Sequence, residues 1–372
     1  MRTRGLDRRI LGNFDWKMLL ALLSICGVSL VTLYSAGFNA DLQSSPQMRK
    51  QAIAMGAGTI AFVFCSLVNT NFWRRWCWVL FGIGCCALMI LDFAGIVAKG
   101  SRRWLELGPY FRLQPSEFTK IALVLVLARI FGSEDAPKDG YSLKQLLVPL
   151  MLVCLPVVLV ALQPDLGTAL THLLIAISMI FVAGVRLGTV VRLGFLGLAS
   201  AYPLWMVLHD YQRKRIITFL APETDPLGSG YHAIQSQIAV GSGTFFGKGF
   251  LQGTQTQLRF LPEQTTDFIF SVLAEEWGFV GSILVLALYA FLLYRAFSAS
   301  ARCKDRFPAF VCFGVSMMLF WHVIINIGMV IGVVPVVGIT LPLLSYGGSS
   351  VVAFMSAFGL VAGISMRRYF FA

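Results

Sequence analysis

Ten apolar runs of membrane-spanning length divide this sequence, and they constrain its fold more than any other feature. A helix that crosses a bilayer needs about 20 consecutive, mostly apolar residues. The runs cover residues 16–37, 48–68, 74–95, 115–131, 143–162, 167–185, 187–209, 268–297, 308–330 and 349–366. Only 13% of the 372 residues are charged, whereas soluble domains carry about 25%. The sequence therefore predicts an all-α polytopic integral membrane protein with about ten transmembrane helices, formed by one domain over residues 1–372.

A basic run, MRTRGLDRRI, precedes the first apolar segment. A cleavable signal peptide has a shorter apolar region that is followed by a small-residue cleavage site. The run therefore predicts a signal anchor whose N-terminus lies in the cytoplasm. Because ten is an even number of spans, the C-terminal residues 366–368 are expected on the same side.

Most Lys and Arg residues fit the positive-inside rule under this topology, and the exceptions are informative. Twelve of the 30 lie on the outer side or just within it, where the topology gives no reason for them. They are Arg49, Lys50, Lys99, Arg102, Arg103, Arg112, Lys120, Arg213, Lys214, Arg215, Lys248 and Arg259. Clustered Arg and Lys suit a compact anion such as pyrophosphate. Either the topology is wrong or these residues face an anionic group outside.

The eight Cys residues lie mostly inside apolar runs or beside their ends. They have no CxxC spacing and no nearby His, so neither a zinc site nor a disulfide framework is indicated. We interpret them as small apolar packing residues.

A polar, Pro-containing run leads into the eighth span within FLPEQTTDFIFSVLAEEWGFVG (260–281). Thr265 and Thr266 are N-cap residue types, and Pro262 lies just upstream of the expected helix start. Asp267 is therefore predicted in the first helical turn, at the edge of the hydrocarbon. Its carboxylate either complements the helix dipole or belongs to a site at the membrane surface.

An ionisable pair opens the fourth span within GSRRWLELGPYFRLQPSEFTK (100–120). The aromatic and Arg residues of this segment are typical of an interfacial stretch. Glu117 and Lys120 are three residues apart and share one helix face. Such a pair inside a span indicates a functional site, or an ion pair that only fastens the helix to its neighbour.

The loop over residues 210–266 is the long polar stretch of the chain, predicted to fold over the outer mouth of the bundle. Its GSG (241–243) and GKG (247–249) resemble phosphate-cradling backbone, although the spacing of a Walker motif is missing. His209 and His232 receive no catalytic role. In the motif QPDLGT (163–168), Pro and Gly predict a tight outer turn in which Asp165 caps the sixth span.

The segment GITLPLLSYGGSS (338–350) interrupts the apolar sequence with a Pro, a pair of Gly and three Ser residues. Irregular backbone at membrane depth is tolerated where it is buried in protein or lines a polar cavity. We therefore expect a cavity on the outer side, lined by this turn, by Glu117 and Lys120, and by the loop that holds Asp267.

Five motifs make the family recognisable, in the order in which the family carries them. LPEQTTDFIF, SYGGSS, QPDLGT, QPSExxK and NIGMV resemble the SEDS family (shape, elongation, division and sporulation) over nearly the whole chain. DYQR, DPLGxGYH, GSG and GTQ look most like the rod-shape-determining branch of that family.

The resemblance implies a ten-span peptidoglycan glycosyltransferase that polymerises lipid II on the outer face of the inner membrane, with an undecaprenyl-diphosphate-linked donor. It also implies a class B penicillin-binding protein transpeptidase as partner, within the elongation machinery, and no nucleic-acid partner. The essential Asp of the family falls on Asp267, which would act as the general base. Gln264 and Thr265 stand where relatives often carry other polar residues, a departure without expected chemical consequence.

Other polar residues near the outer side are expected to bind the substrate. The set consists of Glu117, Lys120, Arg112, Arg213, Arg215, Lys248, Glu263, Ser345 and Ser349. Of these, Arg213, Arg215, Lys248 and Lys120 would neutralise the departing diphosphate. A divalent cation, Mg²⁺ or Mn²⁺, stays an open alternative for that task, because no carboxylate cluster in the sequence specifies one.

Two other functions stay open at this point. A lipid II flippase would also use ten spans and a polar cavity, but the unexplained charges gather on one side of the membrane rather than on both. A scaffold whose outer loop only docks partner proteins would tolerate the loss of Asp267.

Overall fold

The computed structural model describes residues 14–38, 45–98, 101–106, 112–134, 136–137, 139–208, 210–221, 225, 228–258, 260–261 and 263–367. The helices, in chain order, are α1 (Trp16–Ala36), α2 (Pro46–Leu67), α3 (Thr70–Ala94), α4 (Pro115–Phe131), α5 (Leu143–Leu162), α6 (Leu166–Ala183), α7 (Leu187–Val207), α8 (Asp210–Leu220), α9 (Ser229–Ser242), α10 (Thr254–Gln257), α11 (Ile269–Ala301), α12 (Arg306–Val330) and α13 (Gly348–Arg367). The strands are β1 (Ile96–Ala98), β2 (Ser101–Glu106) and β3 (Arg112–Leu113). The N-terminal basic run, Lys99, His209, Arg259, Pro262 and Arg368 lie outside the described residues.

Each of the ten predicted spans coincides with one long helix, which confirms the all-α polytopic fold. By length and composition, eight described helices are able to cross a bilayer: α1, α2, α3, α5, α6, α11, α12 and α13. Helix α4 has only 17 residues, of which thirteen are buried inside the bundle, among them Glu117 and Lys120. The apolar part of α7 covers only Leu187–Ser200. These two helices belong to the bundle without having the length or composition of a free-standing span.

Local signals explain where several helices begin. Asp15 accepts a hydrogen bond from the backbone N–H of Met18 at 3.1 Å and so caps α1. Asp165 caps α6 in the same way, by accepting from the N–H of Thr168 at 3.2 Å. The predicted capping role of Asp165 is therefore confirmed. The cap gives a hydrogen-bond acceptor to one of the N–H groups that have no partner within the helix.

Helix α13 lies at the centre of the bundle and packs most closely against α2. A Cβ atom on Gly359 would lie 2.4 Å from the carbonyl oxygen of Phe62, and one on Gly363 would lie 2.6 Å from that of Ser66. Small residues four apart let two membrane helices approach backbone to backbone. The pair of glycines in α13 therefore sets the distance between these helices.

Three short antiparallel strands add a small sheet, in the order β1–β2–β3, at the stretch predicted to be interfacial. Arg103 on β2 reaches the turn between α5 and α6. Its guanidinium donates to the carbonyl oxygen of Gln163 at 3.3 Å, contacts that of Pro164 and pairs with Asp165 at 3.6 Å. One of the outer basic residues without a topological reason is thus used to hold the sheet to the bundle.

The 210–266 loop contains α8, α9 and α10. Its residues 244–249 pack against a break in α11. At Gly278 the helix has φ 64° and ψ −159°, and the N–H of Phe279 donates to the carbonyl of Thr244 at 3.0 Å. The N–H groups of Lys248 and Gly249 donate to the carbonyls of Glu275 and Glu276, each at 3.0 Å. The phosphate-cradle reading of GKG is therefore wrong, because these N–H groups satisfy the carbonyls that the break in α11 exposes.

Candidate active site

Asp267 lies in a turn that precedes α11, and its predicted place in the first helical turn is wrong by two residues. The helix begins at Ile269 with Phe268 at the N-cap position. The backbone N–H groups of Thr266 and Asp267 donate to the carbonyl of Glu263 at 3.1 and 3.2 Å. Because Glu263 has a φ of 57°, the chain folds back here and keeps Asp267 outside the helix.

Thr266 does not cap α11, although its residue type predicted that role. Its hydroxyl lies 3.2 Å from a carboxylate oxygen of Glu263 and donates to it. Of the two predicted site residues in this turn, Glu263 therefore supports the turn itself. Asp267 is half-buried, and its carboxylate lies beside Gly338.

Asn326 of α12 fixes the backbone of Asp267. Its side-chain amide donates to the carbonyl of Asp267 at 2.9 Å and to that of Ile339 at 2.7 Å. The Asn326 side chain is fully buried, so these bonds do not compete with water. One amide thus ties the turn before α11 to the irregular segment after α12.

Ser345 and Tyr346 fix the same turn from the other side. The Ser345 hydroxyl donates to the carbonyl of Thr266 at 2.6 Å and accepts from the N–H of Leu341 at 2.8 Å. The N–H of Tyr346 donates to the carbonyl of Thr265 at 2.8 Å. Ser345, predicted to bind substrate, is buried, and its hydroxyl helps to hold the turn that contains Asp267.

Glycines let the irregular segment 337–339 approach the carboxylate and α6. Gly338 has a φ of 77°, and a Cβ atom there would lie 3.5 Å from Oδ2 of Asp267. A Cβ atom on Gly167, in the QPDLGT motif, would lie 2.6 Å from the carbonyl oxygen of Val337. Three motifs that are far apart in the sequence therefore converge at Asp267.

Glu117 and Lys120 form a buried ion pair rather than part of an open cavity wall. The ammonium of Lys120 lies 2.8 Å from Oε1 of Glu117, and the two side chains are 0% and 6% exposed. The ammonium also lies 2.8 Å from Nε2 of His322 and faces the ring of Phe354. The expected outer cavity therefore does not include these two side chains.

Ser349 and Arg112 join β3 to α13. The Ser349 hydroxyl donates to the carbonyl of Arg112 at 2.5 Å and accepts from the N–H of Gln114 at 3.0 Å. The guanidinium of Arg112 is 60% exposed and lies 3.4 Å from Glu106. Burial raises the pKa of Tyr346, and the charge of Arg112 acts in the opposite direction. Arg112 is therefore an exposed cation near the Asp267 turn, whereas Ser349 is a buried structural residue.

The basic residues of the loop have different surroundings. Arg213 donates to the carbonyls of Trp205 and Met206 at 3.0 and 2.7 Å, at the end of α7. Lys248 lies 2.8 Å from the fully buried carboxylate of Glu275. Arg215 borders a cavity between α8 and α9. Arg213 and Lys248 therefore support the fold, and Arg215 is one of the residues that line this cavity.

Sequence reasoning missed two buried histidines, His172 of α6 and His322 of α12. His322 contacts Lys120, and Nδ1 of His172 lies 2.8 Å from the carbonyl oxygen of Thr168. The signal that was present is spacing: His322 and Asn326 are four residues apart and so share one face of α12. Among the described residues, no group of three or more His, Cys, Asp or Glu is arranged to hold a metal ion.

The bundle, its irregular backbone before α13 and its buried charges define a polytopic membrane protein with a candidate site beside Asp267. A family model described as "Cell cycle protein" (FtsW, RodA and SpoVE) matches residues 16–369, and the chain belongs to this family. Peptidoglycan glycosyltransferase MrdB from Escherichia coli is 42% identical over 361 residues, which cover 96% of this chain and 94% of MrdB.

Two solved structures are similar over the same length. A chain from a peptidoglycan synthase complex that coordinates polymerization and crosslinking is 32% identical, with a TM-score of 0.80, over 96% of this chain and 98% of that chain. The rod shape determining protein RodA of Thermus thermophilus is 30% identical, with a TM-score of 0.71 and the same coverage. The fold predicted from the apolar runs thus agrees with experimentally determined relatives.

Proposed function

We propose that this chain is a peptidoglycan glycosyltransferase that polymerises lipid II into glycan strands during cell elongation. Three relatives that match nearly all of this chain are named peptidoglycan glycosyltransferases. The donor would be an undecaprenyl-diphosphate-linked sugar. In this reaction an acceptor hydroxyl attacks the anomeric carbon of the donor, and the bond from that carbon to the diphosphate breaks.

The observation that carries the proposal is the placement of Asp267. Its backbone carbonyl is held by Asn326 at 2.9 Å, and its turn is held by Ser345 at 2.6 Å. Its carboxylate lies beside Gly338, in the irregular segment between α12 and α13. A carboxylate that is fixed through its backbone is preorganised to accept a proton without reorganisation.

Asp267 is the general base in this proposal. It takes the proton of the acceptor hydroxyl as the new glycosidic bond forms, which is a contribution of about 10²–10⁴ in rate. The electron pair of the broken bond leaves with the lipid diphosphate. The proton then passes from Asp267 to water, and one displacement without a covalent enzyme intermediate inverts the anomeric carbon.

Positive charge stabilises the departing diphosphate. Arg112, exposed beside the Asp267 turn, and Arg215, at the cavity between α8 and α9, are the cations placed to do this. Lys120, Glu117, Lys248, Ser345 and Ser349 act on the substrate indirectly, since each is engaged in buried contacts that hold the site together. No step is assigned to a metal ion.

The same proposal includes location and partner. The chain would lie in the inner membrane of a bacterium with both termini in the cytoplasm and Asp267 on the periplasmic side, in agreement with the positive-inside count. A class B penicillin-binding protein would cross-link the strands that this chain makes, within the elongation machinery. Support comes from the similar chain that was solved as part of a peptidoglycan synthase complex.

The test is polymerisation of supplied lipid II by the purified protein, with and without the penicillin-binding protein. Wild type, Asp267→Asn and the exposed control Glu134→Gln are compared at equal amounts of folded protein. We expect glycan from wild type and from Glu134→Gln, and none from Asp267→Asn. Equal glycan from all three would remove Asp267 from the chemistry. If none of them made glycan even with the partner present, lipid II transport would become the better proposal, to be measured as lipid II movement across vesicles.

A further inference from the structure

Gln51 of α2 is a fully buried polar residue on a helix face that is otherwise made of apolar and small side chains. It is 0% exposed. The other buried residues of α2 are Ala54, Met55, Gly58, Phe62, Cys65 and Ser66. A buried carboxamide without hydrogen-bond partners would destabilise the fold. The partners of this amide therefore indicate the role of Gln51.

Both ends of the Gln51 amide bond to the backbone that precedes α13. Nε2 donates to the carbonyl oxygen of Ser345 at 2.9 Å, and Oε1 accepts from the N–H of Gly347 at 3.0 Å. A carbonyl only accepts and a backbone N–H only donates, so these two contacts fix the orientation of the amide. Gln51 thus holds the backbone on both sides of Tyr346.

One of these bonds acts on the peptide group that supports the turn of Asp267. The carbonyl of Ser345 and the N–H of Tyr346 belong to one planar peptide group, in which they point in opposite directions. Gln51 holds the carbonyl, and the N–H donates to the carbonyl of Thr265 at 2.8 Å. Because the group is planar, fixing its carbonyl also fixes the direction of its N–H. The contacts therefore run from Gln51 through this peptide group to the residue two positions before Asp267.

Two other side chains fix the segment just before this turn. The Ser29 hydroxyl of α1 donates to the carbonyl of Leu344 at 2.7 Å, and the Tyr289 hydroxyl of α11 donates to that of Pro342 at 2.6 Å. These bonds hold residues 342 and 344, whereas Gln51 holds residues 345 and 347. The position of the turn therefore depends on α2.

We propose that Gln51 is a positioning residue for Asp267, acting through the turn formed by residues 345–347. The inference rests on the function proposed above, because it assigns Gln51 to the same reaction. Loss of the amide would free the peptide group between Ser345 and Tyr346 to rotate, and the turn that carries Asp267 would lose a fixed support. Proton transfer to Asp267 depends on the place of its carboxylate, so the chemical step is affected rather than substrate binding.

The first test measures kcat and KM for lipid II polymerisation by Gln51→Met, with Gln145→Met as the matched control. Methionine resembles glutamine in length but has no N–H donor. Gln145 accepts from the N–H of Ser142 at 2.9 Å, at the start of α5. At equal amounts of folded protein, Gln51→Met should lower kcat about tenfold with little change in KM, and Gln145→Met should keep the wild-type kcat. A wild-type kcat in Gln51→Met, or a change in KM alone, would overturn the proposal.

A double-variant cycle with Ser345→Ala tests whether Gln51 acts through the turn. Ser345 holds the carbonyl of Thr266 from the same turn. Because both side chains act on one turn, the double variant should lose less kcat than the product of the two single losses. A loss equal to that product would place the effect of Gln51 elsewhere and count against the proposal.

Hydrogen–deuterium exchange separates this inference from the proposed function, because it needs no turnover. In Gln51→Met, exchange should rise in peptides that contain residues 263–268, where the N–H groups of Thr266 and Asp267 bond to the carbonyl of Glu263. Gln145→Met should leave these peptides unchanged. Unchanged exchange in Gln51→Met would overturn the positioning role. If wild type made no glycan, the proposed function would fail, and exchange would still decide whether Gln51 holds the turn.

Discussion

The ammonium of Lys120 lies 2.8 Å from Nε2 of His322, which completes a buried chain from Glu117 through Lys120 to α12. Nδ1 of His322 lies 2.8 Å from the carbonyl of Met318, which can only accept, so Nδ1 carries the hydrogen and Nε2 accepts from Lys120. One turn further along α12, Asn326 holds Asp267. The buried charges and the proposed base are therefore supported by the same face of one helix.

The first prediction concerns this ion pair. Lys120→Met should lower the free energy of unfolding by about 3–5 kcal/mol, because it leaves the Glu117 carboxylate buried and unpaired. The double variant Lys120→Met with Glu117→Gln should recover much of that loss. Thermal unfolding of the detergent-solubilised protein measures both. If the single and double variants melted at the same temperature, the pair would not be the coupled unit described above.

Asn326→Leu should lower kcat for lipid II polymerisation with a smaller change in KM. The substitution removes the donor to the Asp267 carbonyl, and a carboxylate displaced by about 1 Å costs on the order of 10² in rate. Asn69→Ala, which removes only the N-cap of α3, is the matched control and should alter stability alone. Wild-type kcat in Asn326→Leu would show that the clamp is dispensable.

Gly338→Ala should reduce activity by about tenfold or more, since the new methyl group takes the space beside the carboxylate. Strain at positive φ adds roughly 1 kcal/mol of destabilisation. Gly184→Ala is the control for strain alone, because its φ is 87° and no atom lies within 4 Å of the new Cβ. Activity is compared per folded protein. An equal loss in both variants would assign the effect to backbone strain.

Gly359→Ala should destabilise the fold by about 1–3 kcal/mol, because its Cβ would meet the backbone of Phe62 at 2.4 Å and the helices would have to separate. Gly56→Ala on α2 meets no atom within 4 Å and should stabilise slightly through helix propensity. Melting temperatures of the two variants should therefore move in opposite directions. A shift in the same direction would contradict the close α2–α13 packing.

Acid should lower the free energy of unfolding through His232 of α9. Burial lowers the pKa of this His below 6.5, although the charges of Glu263 and Asp225 act in the opposite direction. Just below 6.5 the unfolded chain therefore binds more protons at this residue than the folded chain, so stability falls as the pH falls. His232→Gln should lose less stability than wild type between about pH 7.5 and about pH 5.5. Parallel pH curves for the two proteins would contradict this.

The order and approximate positions of the ten long helices could be predicted because each rests on a local property, the length of an apolar run. Residue types also predicted the cap at Asp165, since an N-cap needs only its own turn. The place of Asp267 could not be predicted in this way. Its turn is set by Asn326 and Ser345, whose partners are 59 and 79 residues away in the chain.

Several members of the predicted substrate-binding set have structural partners that sequence reasoning did not anticipate, for a related reason. Lys248 and Glu117 carry the charges that a substrate site needs, and sequence alone does not reveal that each has a buried partner. Glu275 satisfies Lys248, and Lys120 satisfies Glu117. GKG resembled a phosphate-binding backbone in the sequence. Its N–H groups instead bond to carbonyls at the break in α11, a contact that the sequence alone does not reveal.

The clamp on Asp267 also has a consequence for biosynthesis. Asp267 is synthesised before the residues that hold it, and the last of these, Ser345 and Tyr346, immediately precede α13. A nascent chain that ends before Ser345 therefore lacks two of the contacts that hold the Asp267 turn, while Asn326 of α12 can already be in place. The proposed activity would therefore appear only after the final helices have entered the membrane. Ribosome-bound chains and chains truncated before α13 should be inactive.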